Sequence, residues 1–102
     1  MFNVRTIQRR PNRDVPFFFQ VSIFSTEYNR YSEEFLRDKM ISSSREFSAD
    51  RLTVALTSKW VNRNAFLEYM GDLMCYQNQR LPSYEYNIKN NIEIVSTDTF
   101  MD

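Results

Sequence analysis

Alternation of apolar and polar positions predicts five strands along the chain. The loosest is residues 2–10, and the clearest is Phe17–Phe24, where four apolar side chains would share one face. Met40–Phe47 and Leu52–Lys59 are separated by a short Ser-Ala-Asp segment that is typical of a turn, so together they form a predicted hairpin. Ile88–Thr97 is the last predicted strand, with a short tail after it.

Apolar residues at helical spacing predict two helices between these strands. The first should end near Lys39. The second begins after the capping residue Asn62 and is expected to end at Pro82, because the residue before a proline disfavours helical geometry. Gly71, the only glycine, costs about 1 kcal/mol relative to alanine inside a helix. We therefore expect it to mark a bend or a close backbone approach, with Asp72 capping the chain beyond it.

The predicted order of elements is β–β–α–β–β–α–β. Without the first strand this order is βαββαβ, which is the ferredoxin-like pattern. The sequence therefore predicts an α+β fold, ferredoxin-like with an extra N-terminal strand. At 102 residues the chain is expected to be a single domain, 1–102.

The aromatic content indicates a partner subunit. Nine Phe and six Tyr are many for a chain of 102 residues, and a domain of this size can bury only about two-thirds of its unfolded surface alone. Small domains of this kind often complete their core across a two-fold axis, so we expect a homodimer.

The net charge is zero, but the two ends of the chain differ. Residues 1–14 carry four Arg and one Asp, whereas residues 83–102 carry four acidic residues and one Lys. Pairing of the two ends explains this better than a basic arm on phosphates, because four arginines are too few for a strong polyelectrolyte contribution. The sequence therefore argues against a nucleic-acid partner.

The residue types that are absent exclude several kinds of site. The chain has no histidine, which removes Ser-His-Asp and Cys-His nucleophile systems and most transition-metal sites. One glycine cannot build a phosphate-binding loop, and one cysteine cannot form an internal disulfide. No apolar run reaches the roughly 20 residues that span a bilayer. We expect a cytoplasmic protein with no membrane association, no metal and no cofactor.

The middle of the chain resembles the antibiotic-biosynthesis-monooxygenase-like family. The resemblance is carried by Ile41–Phe47, by Leu52–Trp60 with its terminal tryptophan, and by Asn62–Tyr69, and it covers about residues 17–77. It implies two ferredoxin-like protomers that pack their sheets into a dimeric α/β barrel, each with a cleft between sheet and helices. Some members oxidise polyketide-type phenols without metal or flavin, and others degrade haem. The chain departs from the haem-degrading members, which carry a histidine on the helix after the tryptophan.

Three residues are candidates for binding a ligand in such a cleft. Trp60 could stack on a flat molecule, although large aromatic residues more often belong to a core. Gln20 could hydrogen-bond a substrate oxygen, with cross-strand pairing or solvation as the structural alternative. Tyr69 could donate a proton in a dry cleft, or lie on an amphipathic helix with its hydroxyl at the surface.

Two functions remain open from the sequence. The first is a small-molecule protein that binds or oxidises a small aromatic ligand, as a cofactor-independent monooxygenase-like enzyme or a non-catalytic relative. The alternative is a non-enzymatic interaction or scaffold protein that uses its dimer surface. A cleft above roughly 300 Å³ lined by Trp60 and a few polar groups favours the first, because ligand pockets have at least that volume. A cleft filled by Phe and Met side chains favours the second.

Overall fold

One four-stranded antiparallel sheet and the helices on one of its faces make up the fold. The structure is a computed structural model that describes residues 1–21 and 26–102, with the backbone only for residues 26–29. Its elements are β1 (Phe2–Arg9), α1 (Phe18–Val21), α2 (Thr26–Leu36), β2 (Met40–Phe47), β3 (Thr53–Trp60), α3 (Arg63–Gly71), α4 (Leu73–Cys75), a π-helical segment (Tyr76–Arg80), α5 (Leu81–Lys89) and β4 (Glu93–Met101).

The strand order in the sheet is β2-β3-β1-β4, with every neighbouring pair antiparallel. With the helices between the strands, this is the ferredoxin-like βαββαβ arrangement, so the predicted α+β fold is confirmed. The molecule measures 36 × 33 × 17 Å. The short dimension corresponds to two layers, a sheet and its helices.

The prediction of a strand at Phe17–Phe24 is wrong for those of its residues that the structure describes. Phe18–Val21 is a short helix, residues 22–25 lie outside the described part, and β1 is itself the first strand of the βαββαβ pattern. A local hydrogen bond opposes the extended form, since Gln20 Oε1 accepts from the Phe17 N–H at 2.9 Å. Tertiary packing reinforces the helix. The Phe17 ring is fully buried, and the Phe18 ring lies 5.6 Å from that of Tyr86.

The predicted end of the second helix is also wrong. The chain continues past Pro82 as α5, with Pro82 in its first turn, where the fixed φ of proline is compatible with the helix. The preceding turn is a π-helix, in which the Leu81 N–H donates to the Tyr76 carbonyl. The last strand consequently begins later than predicted, and the expected tail is part of β4.

The bend at Gly71 is confirmed. There α3 ends, and the Asp72 carboxylate caps α4 by accepting from the Cys75 N–H.

The core lies between the sheet and the helices, in two clusters. The first is centred on Phe2, Val4, Trp60 and Ala65, and the second on Phe17, Val54 and Ile92. The predicted cap of α3 is confirmed, because Asn62 Oδ1 accepts from the Ala65 N–H at 2.8 Å. No helix in the described ranges is long and apolar enough to cross a membrane.

Candidate functional site

A cleft of about 570 Å³ lies between the helix-facing side of the sheet and the helical layer. Side chains from both core clusters contribute to its walls, so the cleft lies between the two clusters. Its lining includes Thr6, Gln8, Arg45, Leu56, Ser58, Trp60, Phe66, Tyr69, Met70, Gln79, Arg80, Ser83, Tyr84 and Asn87.

The floor of the cleft results from the two-residue period of the strands. Every second residue of β1 and β3 faces the helices, and the register places Thr6 opposite Leu56 and Val4 opposite Ser58. Gln8 is also buried on this face. The sheet therefore provides a floor in which apolar and hydrogen-bonding side chains alternate.

Trp60 lies at the end of β3 and lines the cleft. Only 2% of the residue is exposed, and its ring packs edge-on to Phe66 at 5.3 Å between ring centroids. The indole N–H donates to Ser58 Oγ at 2.8 Å. Trp60 is thus both a core residue and a wall of the cleft, and its one hydrogen-bond donor is already used within the protein.

Tyr69 also lines the cleft, on the helical side. Its ring centroid lies 5.3 Å from that of Trp60, and its hydroxyl donates to Gln79 Oε1 at 3.0 Å. Burial raises the pKa of Tyr69 to about 12. The phenol therefore stays protonated near neutral pH and acts as a hydrogen-bond donor rather than as a base.

Gln20 lies apart from the other two predicted residues. It is exposed in the first turn of α1, it is absent from the cleft lining, and its side-chain oxygen accepts from the backbone of Phe17. The structure brings Trp60 and Tyr69 together but not Gln20. A ligand-binding role for any of the three stays a prediction.

Arg80 is the candidate residue that the sequence pattern missed most clearly. Its Nη2 donates to the Met70 carbonyl at 2.6 Å, and its guanidinium carbon lies 5.6 Å from the ring centroid of Tyr69 and 5.1 Å from that of Tyr76. Its Nε is buried without a hydrogen-bond partner. The guanidinium is thus held in place by the helices, with one donor group left unused in the cleft wall.

Asn87 and Arg45 complete the polar lining. Asn87 is 5% exposed, and its Oδ1 is buried with no hydrogen-bond partner. Arg45 is exposed on β2 with its guanidinium carbon 4.4 Å from the ring centroid of Phe19. The polar residues in and just before α5 could have been found from the sequence, because Arg80, Ser83 and Asn87 have helical spacing. A prediction that ends the helix at Pro82 hides this spacing.

A second polar cluster connects α2 to the bend after α3 and lies outside the cleft. The Tyr31 hydroxyl donates to the Asp72 carboxylate at 2.8 Å. Burial alone would raise the pKa of Asp72, but the Cys75 N–H and the Tyr31 hydroxyl outweigh it and lower the pKa of that carboxyl. Burial raises the pKa of the Cys75 thiol to about 11, so the thiol stays protonated. The cluster therefore serves to cap and dock helices.

The described lining can hold a planar molecule that bears hydrogen-bond acceptors. Its aromatic side chains offer ring contacts, and Arg45 and Arg80 offer positive charge. Among the described residues, no group of three or more His, Cys, Asp or Glu side chains is placed to hold a metal ion.

Comparison with known proteins connects the chain to a fold. No protein-family model matches it, and no curated protein matches it by sequence. Solved structures match over the whole chain. One is a proposed antibiotic biosynthesis monooxygenase from Deinococcus radiodurans, with a TM-score of 0.59, 10% identity, and coverage of 100% of this chain and 92% of that one. Another is protein YJCS, from structural genomics, with a TM-score of 0.50, 9% identity, and coverage of 99% and 97%. The chain therefore has the fold of the antibiotic-biosynthesis-monooxygenase-like proteins.

Proposed function

We propose that this protein binds a small aromatic molecule in the cleft between its sheet and its helices. The observation that carries the proposal is the cleft itself, with a volume of about 570 Å³ and walls that include Trp60, Tyr69 and Arg80. Small-molecule sites are concave, mostly apolar, and carry a few polar groups that fix orientation. The cleft exceeds the roughly 300 Å³ at which such sites begin.

The same cleft favours this proposal over a pure scaffold role. A scaffold has no need of an internal void, and its cleft should be filled by apolar side chains at the density of a protein interior. Here Phe66 and Met70 lie on the wall and leave the void open. Arg80 Nε and Asn87 Oδ1 are buried without hydrogen-bond partners. This burial costs free energy unless a ligand or a water molecule hydrogen-bonds to them.

Oxidation of the bound molecule is the catalytic extension of this proposal. The structural neighbour from Deinococcus radiodurans carries a monooxygenase name, and at 10% identity that name supports only the fold of this chain. The local chemistry offers a separate reason. Arg45 and Arg80 would lower the pKa of a phenol bound beside them, because a nearby positive charge favours the phenolate. The phenolate is the more electron-rich form of such a ligand.

We also propose that two copies pair through the sheet face that the helices leave uncovered. Small side chains, such as Ala55 and Thr57 on β3, let another sheet approach closely. Both charge signs occur on this face, with Arg5 directly opposite Asp98 in the register. Two-fold pairing brings such a face against a copy of itself, so mixed charge makes it self-complementary.

A fluorescence titration tests the binding proposal, because Trp60 is the only tryptophan and lines the cleft. Flat aromatic compounds should change its emission in a saturable manner. Ser83→Met places a longer side chain in the cleft from α5 and should weaken binding about tenfold or more by occupying ligand volume. Glu85→Met is the matched control, since Glu85 is exposed on the same helix outside the lining. Equal affinity in both variants, or no saturable response to any flat compound, would contradict the proposal.

A further inference from the structure

The charges in the cleft are all of one sign. Arg45 and Arg80 are its charged lining residues, and no Asp or Glu lies in the described lining, although the whole chain carries equal numbers of acidic and basic residues. The ion pairs seen among the described residues are Lys39 with Glu68 and Lys59 with Asp102, and neither involves these arginines. Among the described residues no counter-ion pairs with either guanidinium, and two such groups make the described lining electropositive.

The hydrogen-bonding state of Arg80 specifies what that charge is suited to bind. The guanidinium is fixed by the Met70 carbonyl and by two tyrosine rings, and its Nε–H remains buried without an acceptor. A planar guanidinium with free donors fits a carboxylate in particular, because the two groups match in geometry and charge. Arg45 adds a second, more exposed guanidinium from β2.

Whereas Arg80 requires an acceptor on the ligand, Asn87 requires a hydrogen-bond donor. Its Oδ1 is an acceptor in a residue that is 5% exposed, and no donor in the described structure reaches it. Asn87 lies on α5 and Arg80 directly precedes that helix, and both line the cleft, so the same ligand can meet both. Both unpartnered atoms are buried beneath the cleft surface, so each meets a ligand only after its side chain turns toward the cleft. A ligand that then satisfies the two groups has an anionic oxygen for Arg80 and a hydroxyl donor for Asn87.

We propose that the ligand of this cleft is an aromatic carboxylic acid that also carries a ring hydroxyl. Its carboxylate would lie against Arg80 with Arg45 nearby, its ring between the sheet and Tyr69, and its hydroxyl would donate to Asn87 Oδ1. This inference rests on the proposed small-molecule function, and it names the chemical class that the same cleft selects.

Isothermal titration calorimetry with four naphthalene compounds tests the class. The probes are a hydroxynaphthoic acid whose hydroxyl is remote from the carboxylate, its primary amide, naphthoic acid, and naphthol. The hydroxy acid should bind at least about tenfold more tightly than its amide, because hydrogen bonds to a charged group are roughly twice as strong as neutral ones. It should also bind more tightly than naphthoic acid, which cannot donate to Asn87. Raising the salt concentration should reduce the difference in affinity between the hydroxy acid and its amide, and it should leave the affinity for naphthol unchanged.

Variants assign the preference to particular residues. Arg80→Gln and Arg45→Gln should each reduce the preference for acid over amide while naphthol still binds, and the exposed Arg45 makes the second variant safe for folding. Arg63→Gln is the matched control, because Arg63 is exposed on α3 outside the cleft. Asn87→Ala should remove only the tighter binding of the hydroxy acid relative to naphthoic acid.

Equal binding of acid and amide, or a preference that survives both arginine variants, would overturn this inference and leave the proposed function intact. If none of the four compounds bound, the proposed function itself would fail.

Discussion

At the scale of single residues, the pair formed by Tyr31 and Asp72 contributes to the dependence of stability on pH at both ends of the range. The hydrogen bond between them raises the pKa of Tyr31 to about 12 from 10.0, and it contributes to the lowered pKa of Asp72. A raised tyrosine pKa adds stability that is present below pH 10 and lost as the pH rises toward 12. A lowered carboxyl pKa adds stability that is present above about pH 4 and lost as the pH falls through the pKa of the folded state.

Tyr31→Phe tests this assignment through the free energy of unfolding, measured in urea across the pH range. The variant should be less stable than the wild type at neutral pH, and its stability should fall less steeply at both the acid and the alkaline end. Tyr84→Phe is the control, because Tyr84 is 44% exposed and does not contact Asp72. Identical pH profiles for Tyr31→Phe and the wild type would show that the pair does not control them.

Sequence reasoning identified the apolar part of the cleft better than its polar part. Trp60 and Tyr69 stand out as large aromatics at a strand end and on a helix, and both line the cleft. Gln20 was selected from an alternation that the chain does not form, and its side chain binds its own backbone instead. Arg80 and Asn87 carry no motif beyond their helical spacing, which is hidden when the helix is predicted to end at Pro82. Their importance comes from buried atoms without partners, which only coordinates reveal.

At the scale of elements, the end of α5 depends on one residue in a left-handed conformation. Asn91 has φ of 58°, the Asn91 N–H donates to Ile88, and the Ile92 N–H donates to Asn87. These two bonds are those of a Schellman motif, in which glycine is preferred because it has no Cβ to be strained at positive φ, and asparagine is accepted because its short polar side chain can hydrogen-bond locally. The motif directs the chain from α5 into β4.

Asn91→Ala should therefore lower the free energy of unfolding by about 1 kcal/mol, which is the usual cost of a left-handed residue with an ordinary Cβ. Asn91→Gly should be neutral or stabilising, because glycine adopts this conformation without strain. Asn64→Ala, on the exposed face of α3, is the matched control and should cost nothing. Thermal or urea denaturation measures all three. A larger loss in Asn91→Gly than in Asn91→Ala would contradict this role of Asn91.

Elements defined by local signals could be predicted, and those defined by packing could not. The β2–β3 hairpin is specified by its turn, in which the Asp50 carboxylate accepts from the Ser48 hydroxyl and from the Leu52 N–H. The segment at Phe17–Phe19 has strong strand propensity, yet it forms a helix start because its rings pack against the sheet and α5. Propensity is a weak guide wherever burial of aromatic surface is large.

At the scale of the whole molecule, a single helical layer leaves one sheet face open, and this supports self-association. Ala55→Arg places a long charged side chain in the middle of that face, so it should convert a dimer to a monomer of 12.3 kDa while the circular dichroism spectrum is retained. Leu67→Arg is the control on the helical side, where Leu67 is 48% exposed. Analytical ultracentrifugation at micromolar concentration reads out both. A wild-type protein that sediments as a monomer would contradict the proposed pairing.

The π-helical turn between α4 and α5 sets the angular phase of the two helical walls. An α-helix rotates by about 100° per residue, and this turn accommodates one residue more than a regular turn would. If the same residues formed a regular α-helical turn, the extra residue would rotate α5 by roughly that angle relative to α3, and Asn87 or Arg80 would turn out of the cleft. The π-helical turn absorbs the extra residue and so keeps both side chains on the cleft. A homologous chain that carried this residue in a regular helix would need a different polar complement, so loss of the π-helical turn without loss of the residue would act as a change of ligand specificity.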